Sequence, residues 1–282
     1  MTTDDLSWML QDIVDNVPKA LHTVLLSADG IPRGASDGMD RRAVETISAA
    51  MSGMQSLSRA AAKFAGMEPE ATWEQTIIEF SHGWVFLIGA GQGAYLAAAA
   101  EPDVDMGAIS FRMHRLVARL GTNLTTPPRV KADAWAEQAD RARERAGGGA
   151  GAGIAIADLD AAFGDVRGAR NAVLLRSDGL PRGATTSMSR DLVDTISAAM
   201  QGLHAYSRAT SRFAGVQDAR WRQTVIEFSH GWVFLVPAGG GSLLAAAAEP
   251  ETDIAKFATQ LHEDVVPRLS THLAASKEAS RR

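Results

Sequence analysis

MDRRAVETISAAMSGMQSLSRAAAKFA, residues 39–65, is the stretch around which the rest of the chain is arranged. A close copy of it, MSRDLVDTISAAMQGLHAYSRATSRFA, occupies residues 188–214. Neither copy contains proline, and both are rich in alanine, methionine, leucine and arginine, which favour helix. Each copy therefore predicts a long α-helix.

Each predicted helix carries two nonpolar stripes. Large apolar residues recur at a spacing typical of a buried face, and these residues are Val44, Ile47, Met51, Met54, Val193, Ile196, Met200 and Leu203. Small residues follow the same rhythm on the opposite side, and these residues are Ala49, Gly53, Ser56, Ala60, Ala198, Gly202, Ala205 and Ala209. We expect the large stripe to hold each helix to the sheet of its own domain. We expect the two small stripes to meet as an inter-domain interface.

The duplication extends well beyond the helix. The segment ADGIPRGA at 28–35 returns as SDGLPRGA at 177–184, 149 residues later, whereas IEFSHGWVFL at 78–87 returns unchanged at 226–235, 148 residues later. One residue has therefore been lost in the second copy, near the position of residues 67–71. A solenoid needs at least about three shorter repeats, so two copies of this length predict two small domains.

The predicted organisation is a first domain, a linker, a second domain and a tail, covering residues 1–121, 122–157, 158–272 and 273–282. The linker opens with two prolines, passes through a charged stretch at 131–145 that could form a short helix, and ends in a glycine-rich tract. Such a tract is flexible and can fold back. The two domains could therefore pack on each other within one chain.

Each copy predicts an α/β (α+β) domain with the order α-β-β-α-β-β-β-α and a five-stranded antiparallel sheet. In the first copy we expect helices and strands at 5–14, 21–27, 31–36, 39–65, 73–80, 84–88, 94–100 and 103–120. The alanines of 94–100 favour helix, but seven residues between a glycine-rich turn and Glu101-Pro102 are too few, so we assign a central strand. Asp103 is the expected N-cap of the closing helix. The second copy begins with a weaker helix around 158–166, interrupted by Gly164.

Composition excludes several classes of protein. The chain is 46% hydrophobic and 22% charged, has no cysteine and has a net charge of −5. Disulfides, thiolate metal sites and cysteine nucleophiles are therefore excluded. The sequence also lacks the basic face that a nucleic-acid-binding protein needs. The N-terminus is acidic and no apolar run approaches the roughly 20 residues of a membrane span. We expect a cytoplasmic protein.

Several short motifs in the first copy resemble the roadblock family of dynein light chains and their bacterial MglB-like relatives. They are LSWML at 6–10, VDNVP at 14–18, LLSADG at 25–30, SGMQSL at 52–57 and PDVDMG at 102–107. The similarity is strongest to roadblock proteins of actinobacterial gene clusters that also encode a histidine kinase and a Ras-like GTPase. It covers most of 4–121 and, more loosely, 158–270. The tandem arrangement, the FSHGW turn and the IPRG strand depart from the usual family pattern.

The resemblance implies two domains that pair through the long helix and the strand after it, here as an intramolecular pseudo-dimer. The strand at 73–80 and its copy would then each have an edge of unpaired backbone groups that the other repeat must cover. Trp73 and Trp221 begin these strands and are candidate interface residues. The resemblance also implies a small Ras-like GTPase as the protein partner, and a sensor histidine kinase module as a further one.

No catalytic, cofactor-binding or metal-ligating set is evident, so we predict a protein that is not an enzyme and needs no cofactor. The chain lacks GxxxxGKS, HExxH and GxSxG patterns, and the glycines at 89–93 are more typical of a hairpin than of a phosphate loop. His82 and His230 recur in the same turn, but Glu79 should point to the opposite face of the strand from His82. Arg33 and Arg182 also recur, and a GTPase regulator could use such a residue as an arginine finger; a solvated strand-end arginine is the simpler interpretation.

Three functional hypotheses follow. The first is a non-enzymatic adaptor that binds and modulates a Ras-like GTPase. The second is a self-associating scaffold that assembles with a sensor kinase without acting on a GTPase. The third is a small-ligand or catalytic domain that uses His82 and His230. In the first two, the two arginines and the two histidines are candidate partner contacts.

Overall fold

The structure, a computed structural model, describes residues 4–65, 71–91, 93–120, 156–215 and 219–271. Most of the predicted linker at 122–157 and the predicted tail at 273–282 lie outside these residues. The position of the one-residue deletion, near 67–71, also lies outside them apart from Ala71.

The first repeat has the predicted order of helices and strands. Its elements are α1 (Asp4–Asn16), β1 (Ala20–Ser27), β2 (Pro32–Ala35), α2 (Arg41–Ala60), a 3-10 turn (Ala61–Ala65), β3 (Trp73–Phe80), β4 (Gly83–Gly89), β5 (Ala94–Ala100) and α3 (Met106–Leu120). The predicted helix at 39–65 is therefore shorter, because its last five residues tighten into the 3-10 turn.

The second repeat follows the same order. Its elements are α4 (Ile156–Phe163), β6 (Ala169–Arg176), β7 (Pro181–Ala184), α5 (Arg190–Ala209), β8 (Trp221–Phe228), β9 (Gly231–Gly239), β10 (Ser242–Ala248) and α6 (Ile254–Gln260), which runs into a π-helical turn (Leu261–Val265). Residues 266–271 continue as helix. The first helix, predicted around 158–166, begins at Ile156 and ends at Phe163, just before the interrupting Gly164, whose amide donates to the carbonyl of Asp160.

The described residues form two compact units whose borders do not coincide with those of the repeats. The first unit consists of the described residues of Met1–Ser56, Glu74–Lys131 and Ala205–Arg222. The second consists of those of Leu57–Trp73, Ala132–His204 and Gln223–Arg282. Each unit thus takes the segment that follows the long helix from the other repeat. Both units are built from both repeats, as internal pairing of the repeats requires.

Each repeat contributes five strands, each of which pairs antiparallel with its neighbours in that repeat. The strand order is β2-β1-β5-β4-β3 in the first and β8-β9-β10-β6-β7 in the second. The alanine-rich strands β5 and β10 lie in the middle, and every residue in them is buried. Alanine tolerates this position because its methyl side chain allows the layers on both faces to approach closely. The prediction of a central strand at 94–100 is confirmed.

The terminal helices of each repeat cover one face of its sheet. In the first unit, α1 and α3 pack on β1, β4 and β5 through the buried residues Leu6, Leu10, Ile13, Leu25, Phe86, Leu96, Ile109, Met113, Leu116 and Leu120. In the second unit, the corresponding core contains Leu159, Phe163, Leu174, Phe234, Leu244, Phe257, Leu261, Val265 and Leu269. Such cores supply most of the stability of small domains.

Asp105 is the N-cap of α3, and the predicted cap Asp103 is wrong. The Asp105 carboxylate accepts a hydrogen bond from the amide of Ala108 at 2.9 Å, and its equivalent Asp253 accepts one from Lys256 in the second repeat. Asp103 instead forms an ion pair with Lys19. Aspartate is a suitable capping residue at each of these positions. The geometry of the first turn of α3 selects Asp105 over Asp103.

The π-helical turn compensates for a one-residue insertion in the last helix of the second repeat. In α3 the buried core residues are spaced four, three and four apart: Ile109, Met113, Leu116 and Leu120. In the second repeat they are spaced four, four and four apart: Phe257, Leu261, Val265 and Leu269. A regular helix would rotate the last two off the core by about 100°. The wider π turn absorbs the extra residue, so all four stay buried.

Candidate interaction sites

The glycines of the two small stripes lie against large side chains of the opposite repeat. In the first unit, a Cβ added to Gly53 would lie 2.5 Å from Cζ of Tyr206. In the second unit, a Cβ added to Gly202 would lie 2.7 Å from Cδ1 of Leu57. Each glycine therefore provides the space into which a bulky residue from the other repeat fits.

The other six small-stripe residues are more exposed. Ala49, Ser56, Ala205 and Ala209 are exposed, whereas Ala60 and Ala198 are half-buried. The large stripe is more fully buried. Five of its residues have an exposed fraction of 0%: Met51, Met54, Ile196, Met200 and Leu203. That all eight small residues form the interface between the helices remains a prediction.

Backbone hydrogen bonds also tie the repeats together around the strands that follow the long helices. In the first unit, the amide of Ser81 donates to the carbonyl of Arg220 at 2.8 Å. In the second unit, the amide of Ser229 donates to the carbonyl of Thr72 at 2.9 Å in the equivalent arrangement. Trp73 and Trp221, proposed from the sequence as interface residues, are both 7% exposed. Their large rings are thus buried where these segments begin.

The two recurring histidines lie in exposed turns. Nδ1 of His82 is 2.7 Å from the hydroxyl oxygen of Ser81, and Nδ1 of His230 is 2.8 Å from that of Ser229. Glu79 binds Arg222 at 3.1 Å in the first unit. Its carboxylate is therefore engaged by an arginine, and the geometry favours a hydrogen-bonded turn over an acid–base pair.

Arg33 and Arg182 occupy equivalent positions on the short strands β2 and β7. Both are half-buried. Their strands pair with β1 and β6 through matching registers, with an irregularity at the proline of each. The structure therefore gives the two arginines the same setting in both repeats, and their role as partner contacts remains a prediction.

A cleft of about 580 Å³ opens in the first unit at the start of α2. It is lined by residues from both repeats: His22, Gly38, Met39, Asp40, Arg42, Ala43, Thr46, Ile47, Ala209, Arg212 and Phe213. The ring of His22 stacks on that of Phe213, with centroids 6.1 Å apart. Burial lowers the pKa of His22, and its Nδ1 is buried without a hydrogen-bond partner among the described residues. Sequence reasoning missed this site because it is assembled from both repeats.

The equivalent of His22 in the second repeat is Asn171, and both polar atoms of its side chain form hydrogen bonds. Its Nδ2 donates to the carbonyl of Phe64 at 2.8 Å, and its Oδ1 accepts from the hydroxyl of Ser187 at 2.7 Å. The first repeat has glycine, Gly38, where the second has Ser187. The two equivalent positions therefore have different chemistry.

Comparison with known families decides the assignment that the motifs suggested. The model of the Roadblock/LC7 domain matches the chain twice, at residues 6–100 and 155–248. The chain belongs to the Roadblock/LC7 family. The resemblance drawn from the sequence motifs and the two-domain α/β architecture are thereby confirmed.

Solved structures of similar proteins include two Roadblock/LC7 domains from Streptomyces avermitilis. One is 28% identical, with coverage of 43% of this chain and 98% of that chain and a TM-score of 0.38. The other is 31% identical, with coverage of 40% and 96% and a TM-score of 0.33. MglB from Myxococcus xanthus is 13% identical, with coverage of 43% and 87% and a TM-score of 0.37. No curated protein matches the chain.

The first roadblock domain carries two exposed aromatic side chains on its outer helices. Trp8 on α1 is 64% exposed and Phe111 on α3 is 65% exposed. Arg112 is adjacent to Phe111 in the sequence, and Asp12 lies one helical turn after Trp8. Nη1 of Arg112 and Oδ2 of Asp12 form an ion pair at 3.3 Å. The equivalents in the second roadblock domain are Ala157 and Thr259. Sequence reasoning did not single out this pair as partner contacts, although the difference between the repeats was a usable signal.

Two further features of the described residues bear on function. Among the described residues, no cluster of three or more His, Asp or Glu side chains could hold a metal ion. Over the same residues, no helix combines the length and the apolar character needed to cross a membrane.

Proposed function

We propose that this tandem roadblock protein is a non-enzymatic adaptor that binds a small Ras-like GTPase and modulates or positions it. Roadblock/LC7 domains are generally adaptors or regulators without catalytic activity. The observation that carries the proposal is the double match to this domain, together with compact units that each combine both repeats. The GTPase as partner comes from the motif resemblance to roadblock proteins encoded beside Ras-like GTPases.

The proposed partner surface is the outer face of the first roadblock domain. Trp8 and Phe111 are large, exposed and aromatic, and such residues dominate the energetics of protein interfaces. The charged residues of α3 are all basic, Arg112, Arg115 and Arg119, whereas those of α1 are all acidic, which favours a partner whose surface carries charges of both signs. Arg33, Arg182, His82 and His230 remain proposed secondary contacts.

The test mixes the purified full chain with the Ras-like GTPase encoded beside its gene, in the GDP state and bound to a GTP analogue. We expect a complex by calorimetry, and a loss of affinity of at least tenfold when Trp8 and Phe111 are both changed to alanine. Replacing Thr259 by alanine in the second domain is the matched control, and it should leave binding unchanged. Absence of a complex in both nucleotide states, with no change in GTP hydrolysis, would overturn the proposal.

A further inference from the structure

The cleft in the first unit combines an apolar floor with cationic side chains at its rim. Phe213 is 2% exposed and Ile47 is 4% exposed, whereas Arg42 and Arg212 are exposed. Neither guanidinium has an ion-pair partner among the described residues. The carboxylate of Asp40 is held by the amide of Ala43 at 2.7 Å, where it caps α2. The two arginines are therefore available to an anion from solution.

The duplication provides an internal reference for this cleft. Positions equivalent to Gly38, Arg42 and Ala43 in the second repeat are Ser187, Asp191 and Leu192. The first repeat thus has the smaller residue at two positions and the opposite charge at the third. His22 is replaced by Asn171, whose side chain is already satisfied by Phe64 and Ser187. The differences at Gly38 and Ala43 favour a more open cleft, and the one at Arg42 favours a more positive cleft, although Asp40 places a negative charge where the second repeat has Ser189.

His22 adds a polar nitrogen that no described residue satisfies. A buried nitrogen without a hydrogen-bond partner costs free energy, and a bound molecule or water could satisfy it. The ring also extends the flat apolar surface of Phe213, on which it stacks. Drug-sized ligands typically occupy clefts of about 300–1,000 Å³ with apolar walls and a few polar groups, and this cleft, of about 580 Å³, lies within that range.

We infer that this cleft binds a small organic carboxylate. Its carboxylate group pairs with the guanidinium groups of Arg42 and Arg212, because these planar groups match carboxylates in charge and geometry. Its apolar body lies against Phe213 and Ile47. This inference does not depend on the proposed GTPase partner, since the cleft and the exposed pair Trp8 and Phe111 share no residues.

The test uses the full chain and benzoate as the probe, with benzamide as an uncharged molecule of nearly the same shape and inorganic phosphate as an anion without an apolar body. Binding is followed by calorimetry and by the NMR signals of the His22 ring. We expect benzoate to bind at least tenfold more tightly than benzamide or phosphate and to shift the His22 signals.

Two variants introduce the residues of the second repeat into the cleft. Ala43→Leu should fill the cleft, and Arg42→Asp should reverse the charge at its rim; each should weaken benzoate binding at least tenfold. Arg167→Asp, at an exposed position of the second unit, is the matched control and should leave binding unchanged. Thermal unfolding verifies that each variant is folded, and Arg212→Ala replaces any that is not.

Three results would overturn the inference. Equal affinity for benzoate and benzamide would show that charge plays no part. Equal affinity for benzoate and phosphate would show that the apolar body plays none. Benzoate binding that survives in the folded Ala43→Leu and Arg42→Asp proteins would place the binding site elsewhere.

Discussion

His22 and Asn171 are equivalent residues whose side chains have different environments. Asn171 makes two short hydrogen bonds, whereas burial holds the pKa of His22 below its usual value of 6.5. The folded protein therefore favours neutral His22, while the unfolded chain takes up a proton near pH 6.5. Asp40, Arg42 and Arg212 are the charged groups that line the cleft with it.

We predict that His22 makes stability depend on pH. Because the pKa is lower in the folded state, its contribution is complete above pH 6.5 and falls as the pH drops below that value. His22→Asn, which introduces the residue found in the second repeat, should flatten the dependence of the urea midpoint on pH between 7 and 5. His82→Asn, in an exposed turn, is the control and should keep the dependence of the native chain. Parallel curves for the native and His22→Asn proteins would contradict the prediction.

Gly53 leads to a second prediction, which concerns packing. A side chain at this position would overlap the ring of Tyr206, so Gly53→Leu should destabilise the protein by about 1–3 kcal/mol. Most of that cost should disappear in a Tyr206→Ala background, because the ring no longer occupies the space. Ala49→Leu, on the exposed part of the same stripe, should stay within about 0.5 kcal/mol. Urea unfolding measures all four, and an equal cost for Gly53→Leu in both backgrounds would refute this account.

At the scale of elements, the π-helical turn at Leu261–Val265 shows how a helix can accept an extra residue. We predict that deleting the exposed Glu263 restores the regular spacing of α3 and changes stability by no more than about 1 kcal/mol. Deleting the exposed His114 from α3 should cost several kcal/mol, because Leu116 and Leu120 would rotate away from the core. Thermal unfolding monitored by circular dichroism compares the two. Similar losses from both deletions would mean that the π turn has another cause.

The elements were largely predictable from the sequence, and the reasons are physical. The strand at 94–100 was identifiable because seven residues between two turn signals are too few for a stable helix. The position of the cap was not predictable, since Asp103 and Asp105 are both suitable and only the geometry of the first turn selects Asp105. The π turn could have been predicted, because the number of residues that separates equivalent positions of the two repeats increases from 148 to 149 within the last helix.

The candidate sites were less predictable, because they depend on which repeat each segment joins. Phe64 and Phe213 follow the long helices at the same spacing as the apolar stripe, so the sequence assigns each to its own repeat. In the structure the 3-10 turn that contains Phe64 packs on β6, β9 and β10, and Phe213 stacks on His22. The cleft exists only because the repeats exchange the segments that follow their long helices. Pattern analysis along a chain cannot show such an exchange, because both arrangements bury the same residues.

For the whole molecule, the exchange predicts that neither repeat is stable alone. The first unit needs Ala205–Arg222 and the second needs Leu57–Trp73. Fragments 1–121 and 156–282, produced separately, should therefore self-associate or remain poorly folded, and a mixture of the two should form a one-to-one complex. Size-exclusion chromatography with light scattering tests this. A folded monomer of 1–121 that melts at the same temperature as the full chain would contradict it.

Two roadblock domains in one chain also differ from two identical subunits in what a single mutation can do. In a pair encoded by one domain-sized gene, every change appears on both partners, so a residue that suits one surface must be tolerated on the other. Here alanine at position 43 and leucine at position 192 can be selected separately. One half can therefore acquire a new binding site while the other half preserves the fold that both depend on.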